Sequence, residues 1–249
     1  MKRLIFMLMA AGLVAAGQAA LVDDFESYSL GNVRDVASPP WTAIDGTGQA
    51  DIFDDGTGNQ YLGFGWSGGW RGTYNDTIAP IADGTVGSVL FFNVYANAEG
   101  LDHSFGLSDV AGVDIDWYDD FEIQIYMKRN AAGDDGKVIL GARNGSEVEV
   151  DTGTWYNVWA IVDQLNDTYD VYYSTGAADL ETAILHSDDA AFRNGTSDSL
   201  TALVGCGYYT DENSQQEMWI DNIDLTVVPE PATLILLGLG GAALLRRQR

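Results

Sequence analysis

Short runs of apolar or alternating residues recur along this chain, separated by clusters of Gly, Asn and Asp, and that rhythm predicts strands. The clearest pair is Trp155 to Val162 and Thr168 to Tyr173. Side chains alternate across a strand, so Tyr156, Val158, Ala160 and Val162 share one face, with Trp155, Trp159 and Ile161 on the other. Both faces are apolar, as expected of a strand held between two packed layers. Gln164-Leu165-Asn166-Asp167 supplies a polar turn, and Tyr169 and Val171 resume the pattern beyond it. Further strands are predicted at Val86 to Tyr95, Phe121 to Lys128, Val138 to Ala142, Glu147 to Val150, Ala202 to Gly207 and Glu217 to Thr226. Only Ala177 to Leu185 carries a helical pattern. Internal repeats with a period of roughly 20 to 50 residues, the mark of solenoids and propellers, are not visible. The pattern is that of an all-β protein, an antiparallel β-sandwich or barrel.

The two ends break this rhythm. Lys2 and Arg3 precede an apolar run from Leu4 to Val14, and small residues follow, with Gly17 and Ala19, or Gln18 and Ala20, where a signal peptidase reads. The run is shorter than the about 20 residues of a membrane span, which predicts a signal peptide over residues 1–20, its apolar part helical. At the other end Pro229 and Pro231 stop the preceding strand, because neither can donate to a sheet ladder. Fourteen uncharged residues follow, Ala232 to Leu245, and then Arg246-Arg247-Gln248-Arg249. On physics alone this is a marginal hydrophobic helix whose arginines stay at the cytoplasmic face, leaving the body outside. Residues 21–227 then form one domain and residues 228–249 a tail.

Charge narrows the function classes. The chain carries −25, and setting aside the five basic residues and Glu230 of the two ends leaves 36 acids against 7 bases, a body of −29. Seven scattered cations cannot assemble a basic patch, which excludes nucleic acid and anionic lipid as partners. Calcium, cationic surfaces and neutral sugars stay open. Cys206 is alone, so no internal disulfide forms. His103 and His186 are the only histidines, and no Cys or His pair has zinc spacing.

Two stretches carry a family resemblance. Thr152-Gly153-Thr154-Trp155-Tyr156-Asn157-Val158-Trp159, followed by Tyr169-Asp170-Val171-Tyr172, resembles the tryptophan hairpin of LamG-like, concanavalin A-like jelly-roll sandwiches. Met218 to Leu225 is similar to the last strand of those domains and of related carbohydrate-binding modules, and Val22-Asp23-Asp24-Phe25-Glu26 to their first. The resemblance implies a β-sandwich that binds polysaccharide. It also implies a structural calcium tying first strand to last, with Asp24, Glu26 and Asp221 as its carboxylates. Pro229-Glu230-Pro231, the apolar run and Arg246-Arg247 resemble the PEP-CTERM sorting tail. That implies transient insertion in the inner membrane, processing by an exosortase (a transpeptidase-like membrane enzyme of certain Gram-negative bacteria) and delivery to the cell surface or matrix. A plain C-terminal anchor is the alternative.

Candidate chemistry is thin. Glu147-Val148-Glu149-Val150-Asp151 sets three carboxylates on one strand face, as in sandwich glycoside hydrolases, whose retaining members hold two carboxyl groups about 5 Å apart. Those enzymes place an aspartate between two glutamates, which this run does not, so an ordinary solvated face is the expected role. Gly65-Trp66-Ser67-Gly68-Gly69 matches a serine nucleophile elbow but lacks the strand-to-helix context. Trp66, Trp70 and Tyr74, four residues apart and joined by Arg71, are the candidate sugar-binding aromatics, each weighed against a place in the core. Aspartates cluster at Asp51, Asp54 and Asp55, at Asp114, Asp116, Asp119 and Asp120, and at Asp134 and Asp135, none with EF-hand spacing. The expectation is a non-catalytic carbohydrate-binding module, with a β-sandwich hydrolase using Glu147, Glu149 and Asp151, or a calcium-dependent structural matrix protein, as alternatives.

Overall fold

The computed structural model describes residues 19–37, 40–44, 50–64, 69–115, 118–130, 135–196, 198–209 and 217–229, without the side chains of 19, 69–71, 208 and 209. The predicted signal residues 1–18, Trp66, Asp116, Asp134 and the tail from Glu230 onward lie outside the described residues.

Two antiparallel sheets form a sandwich. The larger runs in the order β14 (Ile184–Ala191), β13 (Thr168–Ser174), β12 (Trp155–Asp163), β7 (Val86–Ala96), β16 (Met218–Thr226), β5 (Gln60–Phe64), β4 (Ala50–Asp54) and β2 (Gly31–Asn32), with β1 (Ala19–Asp23) also paired to β16. The smaller runs β11 (Glu147–Asp151), β10 (Lys137–Ala142), β9 (Ile123–Arg129), β8 (Asp102–Ser108), β15 (Ala202–Tyr209), β6 (Gly69–Asn75) and β3 (Thr42–Ala43). A single helical turn, α1 (Val33–Val36), is capped by Asn32, whose side chain accepts from the Arg34 amide at 2.8 Å.

Alternation builds the core. Leu90, Phe92 and Val94 of β7 and Val158, Ala160 and Val162 of β12 point inward and are essentially inaccessible. They meet Phe105, Ile125 and Leu140 from the smaller sheet, and Phe92 and Phe105 close edge to face at 4.9 Å. Each of these side chains larger than alanine contributes about 1.5–3 kcal/mol on burial. Gly205 opens room for Phe64, since a Cβ there would lie 2.2 Å from its ring.

Every strand predicted between residues 86 and 226 forms, with ends moved by one or two residues. Three expectations fail. The first strand starts earlier than Val22, at Ala19, and Asp23 ends it by bending the chain. The Asp23 carboxylate accepts from the Phe25 amide at 2.8 Å, the Tyr28 hydroxyl at 2.8 Å and Trp41 Nε1 at 2.7 Å. Those bonds hold buried Phe25 at φ 57°, a left-handed conformation rare for an aromatic residue. The helix predicted at Ala177 to Leu185 is absent: turns close at Thr182 and Ala183, and Ile184 begins β14. Pairing with β13 outweighs a helical propensity too short to propagate alone. Finally, among the described residues the Trp155, Trp159 and Ile161 face of β12 meets no second sheet, although Trp159 is buried. This face lies on the outward side of the larger sheet, where Trp159 packs against Phe91 of the neighbouring strand at 5.1 Å.

His103 gives the core a titratable probe. It is wholly buried beside Phe64, and Gly207 makes room for it, a Cβ there falling 2.1 Å from its Cδ2. Burial disfavours the imidazolium and pushes its pKa down to about 4. The unfolded chain therefore takes the proton first, and this contribution to stability is lost as pH falls from about 6.5 through the folded value, by about 3 kcal/mol in all. His103→Gln should be less stable at neutral pH, and the gap to the parent should narrow as denaturation is repeated toward pH 4. A constant gap would show that the imidazole does not titrate on unfolding.

Candidate functional site

Of the aromatic residues expected to bind sugar, the described structure places the side chain of Tyr74 alone, and it is buried. Trp66 and the side chains of Trp70 and Arg71 lie outside the described residues, although the backbones of Trp70 and Arg71 form β6 opposite Tyr208 and Gly207 of β15. Tyr74 is buried in a second, smaller core with Ile44, Ile115, Phe121, Val204 and Cys206. The segment carrying Val110 and Tyr118 covers it, and Gly112 permits the contact, since a Cβ there would lie 2.3 Å from the Tyr74 ring. The ring thus faces protein and is not free to stack on a ligand.

The acid strand is β11, the edge of the smaller sheet, with Glu147, Glu149 and Asp151 on its exposed face. Glu147 accepts from the Tyr126 hydroxyl and from Lys128 Nζ, both at 2.5 Å, and these bonds hold its carboxyl below the usual glutamate range. Glu149 accepts from Asn130 Nδ2 at 2.9 Å and lies 3.9 Å from Lys137 Nζ. A general acid needs the opposite, a raised pKa that keeps its proton near neutrality. Glu122 does have a raised pKa, from burial, but its carboxylate is spent on the Asn194 amide, the Asn194 side chain and the Gly195 amide. Together with Arg193, which bonds Gln124 Oε1 at 2.9 Å, it clamps the 193–195 turn to the sheet.

The first and last described strands do meet. β1 runs antiparallel to β16, with Ala19 opposite Thr226, and β5 holds the other half of that same edge through Trp219 and Ile220. Asp221 sits where β16 changes partner, beside a bulge and ahead of Asn222 at φ 49°. It is buried, accepts from Asn59 Nδ2 and the Asn222 amide, and is pushed up to about 6 by burial and by the negative Glu26 and Asp24 nearby. Gln60, whose amide donates to Glu26 at 2.9 Å, has a buried side-chain oxygen without a hydrogen-bond partner. Hard oxygens at an under-compensated negative corner suit calcium. The described residues whose carboxylates converge within 4.8 Å are a different set, Asp170, Asp188 and Asp189.

The most organised surface is one the sequence did not reveal. On the outward face of the larger sheet, Trp155, Tyr95 and Trp219 lie in register across β12, β7 and β16. Trp219 stacks on Tyr95 and on Tyr61 at 4.3 Å each, Trp155 closes on Tyr95 at 5.2 Å, and Phe53 packs on Tyr61 at 5.9 Å. Gly63 makes this possible, because a Cβ would strike the Phe53 ring at 2.6 Å. Two residues along the strands comes a row of amides: Asn222 Nδ2 donates to Asn93 at 2.9 Å, Asn93 Nδ2 to Asn157 at 2.7 Å, and Asn157 Nδ2 to Ser174 Oγ and the Gly176 carbonyl. Two further on, Phe91, Trp159 and Tyr172 form a second aromatic row. Acids border the face: Glu217 accepts from Trp219 Nε1 at 2.8 Å, and burial raises Glu217, Asp224 and Asp170 above their usual range. Burial, with the negative Glu217, Asp55 and Asp54 nearby, pushes Tyr61 up to about 12. None of the larger sheet's strands contains Lys or Arg.

Comparison with known proteins agrees with the sandwich and with the tail. Residues 227–249 match the PEP-CTERM protein-sorting motif, and residues 119–199 match the glycoside hydrolase 131 catalytic N-terminal domain. No curated protein matches the chain in sequence. Among solved structures, lectin I of Ulex europaeus in complex with the methyl glycoside of α-L-fucose aligns with TM-score 0.54 and 14% identity over 85% of this chain and 98% of its own. The winged bean acidic lectin complexed with methyl-α-D-galactose aligns with TM-score 0.52 and 10% identity over 86% and 100%. The metal-free lectin I-B4 of Griffonia simplicifolia gives 0.51 and 10% over 84% and 98%. The chain has the lectin-like, concanavalin A-like fold and ends in a PEP-CTERM motif.

The state of Glu147 yields a direct expectation. Glu147→Gln and Glu149→Gln should leave any glycan affinity within about twofold, since exposed ion pairs contribute only about 0–1 kcal/mol and neither carboxylate lies on the aromatic face. Reducing-sugar release from a β-glucan by the parent protein, lost in either variant, would make the acid strand catalytic.

Proposed function

We propose that this chain is an exported, non-catalytic carbohydrate-binding sandwich of the cell surface or extracellular matrix, processed by an exosortase at its PEP-CTERM tail. The observation that carries the reading is the outward face of the larger sheet, where two aromatic rows flank a row of amides. Apolar ring surface beside directed hydrogen-bonding groups suits sugars, which pair aliphatic ring faces with hydroxyls. The lectin-like fold, the sorting motif and the predicted signal over residues 1–20 support the same reading. A hydrolase is the second reading, favoured by the glycoside hydrolase 131 match over 119–199, which includes Glu147, Glu149 and Asp151. The depressed pKa of Glu147 weighs against it.

The purified full-length chain should be retarded in native gels cast with a polysaccharide and should release no reducing ends from it. Turnover of the retarding polymer would favour the hydrolase, and the absence of both binding and turnover would favour a purely structural matrix protein.

Calcium is the cation proposed for the corner where the first and last described strands meet, held by Asp24, Glu26 and Asp221. Binding to the folded state alone stabilises by about 2.7 kcal/mol at a hundredfold excess over the dissociation constant. At about 2–4 °C per kcal/mol for a domain of this size, calcium should raise the melting temperature by roughly 5–10 °C over chelator. Sodium chloride at matched ionic strength should give less, because screening cannot bridge ligands. Equal shifts in the two salts, or an unchanged calcium response in Asp221→Asn, would remove calcium from this corner.

A further inference from the structure

We infer that the larger sheet's outward face is a trough for an extended, uncharged polysaccharide laid across the strands, with Asn93 and Asn222 reading its hydroxyls. This rests on the carbohydrate-binding reading above and names the site and the ligand class.

The trough follows from strand geometry. On β7 the outward residues are Tyr95, Asn93 and Phe91, and on β12 they are Trp155, Asn157 and Trp159. Residues sharing a face repeat about every 7 Å along a strand, so the aromatic rows stand about 14 Å apart with short amides between them. Rings wall a floor of short side chains; Phe91, Tyr95, Trp155 and Tyr172 in the walls and Asn93 in the floor are part-exposed, whereas Trp159 and Asn157 are closed in by their neighbours. The floor crosses β13, β12, β7 and β16, three strand spacings or about 14 Å, which is polymer rather than monosaccharide length. Tyr61, Trp219 and Tyr95 use their ring faces on one another, so contact falls to the edges of that wall, to Trp155 at its end, and to the floor.

The amides have a fixed polarity. Asn157 Nδ2 donates to the Gly176 carbonyl, which can only accept, so the Asn157 oxygen must turn toward Asn93. Asn93 then donates to Asn157 and accepts from Asn222, and each link sets the next. Asn93 spends one N–H and one oxygen lone pair on these neighbours and keeps one of each. Asn222, which is exposed, keeps an N–H and its oxygen. A donor beside an acceptor matches adjacent sugar hydroxyls, each of which both gives and takes a hydrogen bond.

Charge selects among occupants. Asp221, Asp224, Asp170 and Glu217 border the face, and no strand of this sheet supplies Lys or Arg to pair with a carboxylate or sulfate. An anionic polymer would meet uncompensated repulsion. So would a second copy of this chain, whose own charge is −25. A neutral glycan meets neither penalty.

The test uses the full-length chain in native gels containing hydroxyethylcellulose, galactomannan or dextran as neutral polymers, and alginate as the anionic one. At least one neutral polymer should retard the protein, and alginate should not. Asn93→Asp, nearly isosteric but charged and lacking the donor, and Trp155→Leu should each weaken that retardation at least about tenfold. Circular dichroism and melting should confirm that both variants are folded, and Glu149→Gln on the opposite sheet should behave as the parent. Neutral-polymer binding that survives both face variants would overturn the trough while leaving carbohydrate binding intact. Equal retardation by alginate would overturn the charge selection. Binding to none of the four polymers would overturn both the trough and the function it rests on. Dimerisation in sedimentation, abolished by Trp155→Leu in a protein that binds no glycan, would assign the face to self-association instead.

Discussion

The insertion of β16 into the middle of the larger sheet is the constraint on which the rest depends. One edge of this strand pairs with β7 throughout, and the other is divided between β5 and β1. The last described strand therefore joins the first described strand to the centre of the sheet, closing the longest loop among the described residues. Such closure carries an entropic cost that grows only slowly with loop length, and the ladder offsets it with buried Ile220, Ile223 and Leu225. The same insertion brings Trp219 between Tyr61 and Tyr95, and Asp221 beside the carboxylates of residues 24 and 26. Without this strand there is neither an aromatic row nor a corner between the first and last described strands.

The two sheets divide the charge between them. Lys128, Arg129 and Lys137 all lie on strands of the smaller sheet, where Lys128 and Lys137 answer the acid edge of β11. The larger sheet has only acids and neutral side chains on its strands, so its outward face combines aromatic area with a negative border. In a protein as acidic as this one, that asymmetry protects as well as selects. Exposed sheet edges invite pairing with other chains, and charged residues on β11 and at Asp188 and Asp189 of β14 discourage it.

Much of the scaffold was legible because a strand's pattern is local. Tyr156, Val158, Ala160 and Val162 alternate within a single run, and burial of that face needs only the period of the backbone. Ala177 to Leu185 was misread for the complementary reason. A short segment with helical composition has little stability of its own; its last two residues join the edge of β13 and the rest closes into turns. Tyr74 looked like a ligand-binding ring because its neighbours in sequence are glycines and aromatics. Gly112, far along the chain, brings the segment that buries it.

From the sequence by itself come the all-β character, the strand positions, the C-terminal sorting motif, the acidity and the single cysteine, all of which are properties of composition or short periods. Register across strands belongs to the tertiary structure alone. Phe53, Tyr61, Tyr95, Trp155 and Trp219 are spread over five strands, and no window of sequence contains more than two of them. Asn93, Asn157 and Asn222 become a row only when β7 pairs with β12 on one side and β16 on the other. A side chain's face is set by the parity of its position within a strand, but its neighbours on that face are set by which strand lies alongside. That choice is made by the burial of the opposite, inward face, so the surface assembled outside is a consequence of packing within.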